Sequence, residues 1–193
     1  MQRPSPERYD AVAVVLHWAM ALAIFALIGL GLVMKHADIP KIRVFQLYQL
    51  HKSIGVVVLL LALARLLWRL AHRPPPLPAV MPALERAAAH AGHAALYLFM
   101  FVLPLSGWAV VSTASMNIPT VLFGVIPWPH LSFLADSADK AAIHAVVEAV
   151  HKYGAYALIV VLIGHVGAAL RHAVKGDVPL TRMSLAGAKE TSR

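Results

Sequence analysis

Long apolar segments without charged residues constrain this chain more than any other feature. The first covers residues 11–34, between Asp10 and Lys35, and contains no charged side chain. Three further apolar segments follow, at about 50–71, 87–112 and 143–174. A helix of about 20 apolar residues crosses the hydrocarbon core of a bilayer. The pattern therefore predicts an all-α protein, an integral membrane bundle of four helices.

Composition supports the membrane interpretation and excludes several kinds of site. The sequence is 60% hydrophobic and 13% charged, whereas soluble domains have about 25% charged residues. Its net charge of +8 is explained by a basic cytoplasmic rim, so no nucleic-acid partner is predicted. The absence of cysteine excludes disulfides, cysteine-held iron–sulfur clusters and covalently attached c-type haem. The first apolar segment is too long for a cleaved signal peptide and is read as a retained helix.

Basic residues are distributed unevenly between the loops. They are frequent at the N-terminus, in the second loop and in the tail, but the long third loop has only Lys140. Because cytoplasmic loops are enriched in lysine and arginine, both termini are predicted to face the cytoplasm (N-in/C-in). Residues 1–193 are read as a single membrane domain with a tail from about residue 177. The loop at 118–135, rich in proline and aromatic residues, is interpreted as an interfacial lid.

Histidines in the apolar segments are the main functional signal, because ionisable groups inside a membrane are costly. His151 and His165 lie fourteen positions apart on the fourth helix, which is about 21 Å along one helix face. His17 starts the first helix at the depth of His165, and His51 starts the second at the depth of His151. The pattern predicts two haems, each held between two imidazoles: His17 with His165, and His51 with His151.

Other histidines compete for these roles. Pairing His144 with His165, or His151 with His172, would separate the two sites by about 31 Å, which is too far for both to stay in the core. His90 and His93 begin the third helix, and either one would serve as an alternative to His17. The sequence leaves that choice open.

Two further residues are candidates for binding an anion or a quinone. Arg65 lies fourteen positions after His51, at the depth of the cytoplasmic haem, where it would bind a haem propionate or a quinone oxygen; snorkelling to the headgroups is the alternative. His172 would hydrogen-bond a quinone carbonyl or lie at the surface. No catalytic residue is predicted.

The ordered set of histidine motifs resembles the bacterial cytochrome b561 family, whose members are similar to nickel-hydrogenase cytochrome b subunits. The resemblance covers residues 9–178. Its motifs are Leu16-His17-Trp18, His51-Lys52-Ser53-Ile54-Gly55, Ala89-His90-Ala91-Gly92-His93 and the pair His151 and His165. The resemblance implies two haem b groups, with His17, His51, His151 and His165 as axial ligands of the iron, in the bacterial inner membrane.

The resemblance also implies electron transport, from superoxide at the periplasmic face to ubiquinone in the membrane. One alternative is a membrane-anchor cytochrome b subunit that serves a separate dehydrogenase. Another, of a different class, is a haem-free, histidine-lined metal transporter. Membrane lipid is an expected contact of every span, and the sequence leaves open a homodimer or a redox partner subunit.

Overall fold

Four long helices dominate the structure, a computed structural model that describes residues 8–77, 81–176 and 180–184. They are connected by short segments, except that a two-stranded sheet and a short helix precede the last one. The elements are α1 (Ala11–His36), α2 (Lys41–Ala71), α3 (Ala83–Thr113), β1 (Thr120–Leu122), β2 (Ile126–Trp128), α4 (Ser132–Ala135), α5 (Lys140–Lys175) and a 3₁₀ helix (Leu180–Met183).

The helix ends have local causes. Asp10 caps α1, since its carboxylate accepts a hydrogen bond from the backbone N–H of Ala13 at 2.9 Å. Pro40 and Pro82 precede α2 and α3, and proline, which has no N–H to donate, is tolerated where a helix begins. Gly176 ends α5 with a φ of 72°, a left-handed conformation that glycine adopts without a steric penalty.

The predicted fold class is confirmed. All four long helices are apolar enough and long enough to cross a membrane. α1 packs against α2, α2 against α3 and α3 against α5, while large apolar side chains cover the outer surface. Examples are Leu22, Leu60, Leu98 and Val160. In a membrane these side chains face the lipid hydrocarbon, which contains no water to solvate polar groups. The N-in/C-in orientation and the single-domain organisation stay predictions.

The bundle has two distinct ends. The terminal end carries the start of α1, the end of α2, the start of α3 and the end of α5. Here the 3₁₀ helix contacts the rest of the chain, because Trp18 Nε1 donates to the carbonyl of Met183 at 2.8 Å. The opposite end, called the hairpin end below, carries β1 and β2.

The β1–β2 hairpin was not predicted by the sequence analysis, which expected an interfacial loop. Its strands pair antiparallel, with Thr120 opposite Trp128. Phe123 and Gly124 form the turn with φ values of 52° and 74°, as tight hairpin turns require. Phe123 is held in this uncommon conformation by its backbone N–H, which donates to the fully buried Ser53 Oγ at 2.9 Å.

The predicted helix bounds were too short at several ends. α2 begins at Lys41 rather than at about 50, and α5 begins at Lys140 rather than at about 143. Hydropathy marks only the part of a helix that lies in lipid, whereas backbone hydrogen bonding continues through the charged turns outside it. The predicted tail begins at about residue 177, and its positions 177–179 and 185–193 lie outside the described residues.

Candidate haem sites

At the hairpin end, His51 of α2 and His151 of α5 face each other. Their ring centroids are 6.3 Å apart, with the ring planes at 73°. The Nδ1–H of His151 donates to the carbonyl of Leu103 at 3.0 Å, which fixes the tautomer and leaves Nε2 with a free lone pair. His51 Nδ1 is buried and has no hydrogen-bond partner among the described residues. Such an unsatisfied group calls for a bound ligand, ion or water.

A glycine on α3 allows this approach. A Cβ atom built on Gly107 would lie 3.0 Å from Cε1 and 3.3 Å from Nδ1 of His151. Both distances are shorter than ordinary van der Waals contact. The absence of a side chain at Gly107 therefore lets the His151 ring lie against the backbone of α3.

The two histidines line a cavity of about 540 Å³, within the size range of small-molecule and cofactor pockets. Its apolar lining includes Leu27, Met100 and Leu158, which lie near the middle of α1, α3 and α5. Polar side chains line it as well: Lys35, Lys52, Thr120, Trp128, Glu148, Lys152 and Tyr156. The cavity therefore offers apolar walls, two imidazoles and polar groups contributed in part by the hairpin.

At the terminal end, His165 of α5 has two histidine neighbours. The ring centroid of His17 lies 6.3 Å away, with the planes at 56°, and that of His93 lies 5.5 Å away at 83°. His93 Nδ1 is 2.6 Å from the carbonyl oxygen of Ala89, one turn back on its own helix. The predicted pair His17 and His165 is therefore brought together, and so is one of the two alternatives to His17. The other, His90, is exposed.

Arg65 lies at this end, close enough to His17, His93 and His165 to interact with each electrostatically. Its Nε donates to Tyr97 Oη at 3.3 Å, and its guanidinium lies 6.0 Å from the centre of the Tyr97 ring. Arg69 lies 5.5 Å from the same ring. Tyr97 thus positions two cations beside the terminal-end histidines.

His172 lies farther along α5 and only 13% of its side chain is exposed. Its Nε2 is 3.7 Å from Glu85 Oε2, and the neighbouring Arg171 donates two hydrogen bonds to Glu85 Oε1. His144, the competing histidine at the hairpin end, has Nδ1 3.0 Å from Thr113 Oγ1. Both residues thus contact groups other than the imidazoles of the two predicted pairs.

Sequence comparison identifies the family. Residues 8–184 match the family described as prokaryotic cytochrome b561. The chain belongs to this family. Cytochrome b561 homolog 2 of Escherichia coli (strain K12) is 35% identical over 181 residues, covering 93% of this chain and 92% of that protein. A protein of Yersinia pestis named probable superoxide oxidase CybB is 25% identical over 178 residues, covering 92% and 96%.

Membership of the cytochrome b561 family confirms the resemblance read from the histidine motifs. The chain is a multi-pass protein of the bacterial inner membrane and functions in electron transfer. The family implies haem b as the cofactor. It also decides against the haem-free metal transporter considered above.

The histidine pairs fit a haem iron held from both sides. Two collinear metal–nitrogen bonds of about 2.0 Å, with each ring centroid about 1.1 Å beyond its nitrogen, separate the centroids by roughly 6.2 Å. The observed separation is 6.3 Å in both predicted pairs. The His93–His165 separation of 5.5 Å is shorter than this geometry requires.

Sequence reasoning missed the groups that surround the imidazoles. On α3, Gly107 contacts His151 and the Leu103 carbonyl accepts its hydrogen bond. On the hairpin, Thr120 and Trp128 line the cavity. Gly107 carried a weak signal, as a small residue in an apolar helix. The position of a backbone carbonyl leaves no signal in the sequence. The pairing of Thr120 with Trp128 depends on the strand register, which no sequence motif indicates.

Proposed function

We propose that this chain is a di-haem b-type cytochrome that carries electrons across the inner membrane. His17 and His165 would be the axial ligands of one haem iron, and His51 and His151 those of the other. The observation that carries the proposal is the equal 6.3 Å separation in the two pairs. One helix, α5, contributes a ligand to each, about 21 Å apart along its axis.

The surroundings of each imidazole support this assignment. The Leu103 carbonyl would hold His151 with Nε2 directed away from the hydrogen bond, as partners of metal-bound histidines do. When bound, each haem supplies a one-electron ferrous–ferric couple. The chain itself would fix the ligands, exclude water with apolar walls and set the local charge. Arg65 would place a cation beside the terminal-end haem, facing a propionate or a quinone oxygen.

We further propose that electrons pass from superoxide at the periplasmic side to ubiquinone. Two superoxide ions each lose one electron to become O₂, and one ubiquinone takes up two electrons and two protons to become ubiquinol. The name of the Yersinia pestis relative, probable superoxide oxidase, supports superoxide as the donor. The described lining of the hairpin-end cavity has three lysines, Lys35, Lys52 and Lys152, and one carboxylate, Glu148. This excess of positive charge attracts anions.

The orientation proposed from the basic residues puts the hairpin end at the periplasmic face and both termini in the cytoplasm. A quinone near the terminal end would then contact Arg65 or, farther out, His172. The anchor-subunit alternative shares the same haems and differs only in needing a protein electron donor. Superoxide-dependent reduction of ubiquinone by the purified chain alone would distinguish the two.

The test of the di-haem assignment is a reduced-minus-oxidised spectrum with pyridine haemochrome quantitation on purified protein. We expect a b-type α-band and two haems per chain. Each of His17→Ala, His51→Ala, His151→Ala and His165→Ala should lose one haem or convert one to high spin, whereas His144→Ala should retain both as low-spin. Protein from haem-sufficient cells that contains no haem would overturn the proposal.

A further inference from the structure

The hairpin contributes a pair of unpartnered polar groups to the His51–His151 cavity. Thr120 and Trp128 are opposite each other across the two strands, so their side chains project from the same face of the hairpin. Both line the cavity. Thr120 is only 4% exposed. Thr120 Oγ1 and Trp128 Nε1 are buried without a hydrogen-bond partner among the described residues.

Unpartnered buried groups of this kind are uncommon. Leaving a buried donor unsatisfied destabilises a protein, so two on one face point to a ligand that satisfies both. Gln49 Oε1 and His130 Nε2 are also buried without a partner in the described part of the chain, but neither side chain lines the cavity. The neighbouring indole on α3 does have a partner. Trp108, whose ring lies 5.4 Å from that of Trp128, donates its Nε1–H to the carbonyl of Pro129 at 2.8 Å.

The chemistry of the site selects an anion with several acceptor atoms. The indole N–H of Trp128 can only donate, and the Thr120 hydroxyl can donate as well. Lys52, also on the cavity wall, has its Nζ 3.4 Å from the Pro119 carbonyl, next to the start of β1, and retains further N–H donors. A carboxylate accepts from all three, and hydrogen bonds to an ionised group are stronger than neutral ones.

We propose that Thr120, Trp128 and Lys52 form a carboxylate clamp that binds the propionate groups of the haem held by His51 and His151. The polarity of the cavity agrees with this, since Leu27 and Met100 make its lining apolar near the middle of α1 and α3, and the clamp lies at the hairpin. An amphipathic cofactor placed with its carboxylates at the clamp keeps them out of the apolar region, where they would lack partners. The proposal rests on the function proposed above.

The clamp would be held in place by the contacts of the hairpin with α2. The N–H of Phe123 is bonded to the buried Ser53, and Gln49 Nε2 donates to the Pro119 carbonyl at 3.0 Å. Ser53 lies two positions after His51 on the same helix. The helix that supplies an imidazole therefore also fixes the distance between that imidazole and the clamp.

The test measures haem release from the full chain in detergent micelles, followed by transfer to excess apomyoglobin. Trp128→Phe keeps an aromatic ring and removes the indole N–H, and Thr120→Val keeps the shape and removes the hydroxyl. Trp108→Phe is the matched control for shortening an indole that lines the cavity, because the Trp108 N–H already donates to the Pro129 carbonyl and is not free to bind a carboxylate. We expect each clamp variant to release one of the two haems roughly tenfold faster, as the loss of a hydrogen bond to a charged group predicts, and the control to match the unaltered chain.

A second arm uses the dimethyl ester of haem, loaded into protein made without haem. Esterification removes the carboxylate charges but keeps weaker carbonyl acceptors, so the effect of Trp128→Phe and Thr120→Val should be clearly smaller with this cofactor. Equal acceleration with haem and its ester would mean that the variants only loosen the hairpin, and would overturn the clamp. Unchanged release with native haem would overturn it as well. If the unaltered chain binds no haem, the proposed function itself is wrong. That outcome differs from equal acceleration and from unchanged release, which overturn only the clamp.

Discussion

Gly107 and His151 are in direct contact across the α3–α5 interface, with no room for a methyl group between them. A Cβ on Gly107 would lie 3.0 Å from Cε1 of the His151 ring. The Nδ1 atom of the same ring, which a Cβ at Gly107 would approach to 3.3 Å, donates to the Leu103 carbonyl. The backbone of α3 thus sets the position of this imidazole both by contact and by a hydrogen bond.

The first prediction concerns Gly107→Ala. The added methyl group should push the His151 ring out of line with His51, so that one of the two haems is lost or becomes high-spin. The matched control is Gly92→Ala on the same helix, where a Cβ would meet no atom of the described residues within 4 Å. Haem stoichiometry and the low-spin absorption spectrum check the result. Two low-spin haems in Gly107→Ala would contradict the assigned role of the contact.

The second prediction resolves the choice between His17 and His93. His93→Gln should retain two low-spin haems, because its ring centroid is 5.5 Å from that of His165, too close for a shared iron. His17→Gln should retain one. Electron paramagnetic resonance of the oxidised proteins counts the low-spin centres. Loss of a centre in His93→Gln with two intact centres in His17→Gln would reverse the assignment.

The third prediction concerns the charge of Arg65. A nearby cation disfavours the ferric state, which carries one positive charge more than the ferrous state, so Arg65→Met should lower the reduction potential of the terminal-end haem. One unit charge in a partly buried site contributes of order 1 kcal/mol, or roughly 40 mV for one electron. Tyr97→Phe removes the hydrogen bond to Arg65 but keeps the cation, so it should shift the potential less. Potentiometric titration of both haems measures this, and an equal shift in the two variants would contradict a charge effect.

The fourth prediction concerns Asp10, which caps α1 and also accepts a hydrogen bond from Trp68 Nε1 at 3.0 Å. Partial burial raises the pKa of this carboxyl, but the hydrogen bonds from Ala13 and Trp68 and the nearby His72 outweigh that effect and hold its pKa below the usual 3.8. Because the pKa in the folded state is depressed, the stabilisation is present at neutral pH. It is lost as the pH falls through the folded-state value.

Asp10→Ala should therefore unfold at a lower temperature at pH 7, with a loss of about 1 kcal/mol from the missing cap. The difference from the unaltered chain should diminish near pH 3. Asp10→Asn, which keeps a capping side chain without a charge, should fall between the two at pH 7. Thermal unfolding in detergent, followed by circular dichroism, measures all three. A difference for Asp10→Ala that does not depend on pH would contradict the role of the ionised carboxylate.

Much of this protein was predictable from patterns along the chain. The four spans follow from hydropathy, because a helix in lipid must be apolar over its buried length. The periodicity of α5 put His151 and His165 on one face at two depths, and the prediction that His51 and His17 lie opposite them agrees with the ring pairs observed. These relationships depend only on regular helix geometry. The outer turns of α2 and the β1–β2 hairpin were missed, since neither carries a hydropathy signal.

The sequence by itself therefore determined the membrane helices, the family and the position of each candidate ligand along its helix. Only the tertiary structure decided which atoms surround those ligands. The contact of Gly107 with His151, the hydrogen bond from His151 to Leu103 and the pairing of Thr120 with Trp128 join residues on different elements. The physical reason is that such contacts depend on the rotation of one helix against another and on strand register. Packing sets these, and no local periodicity encodes them.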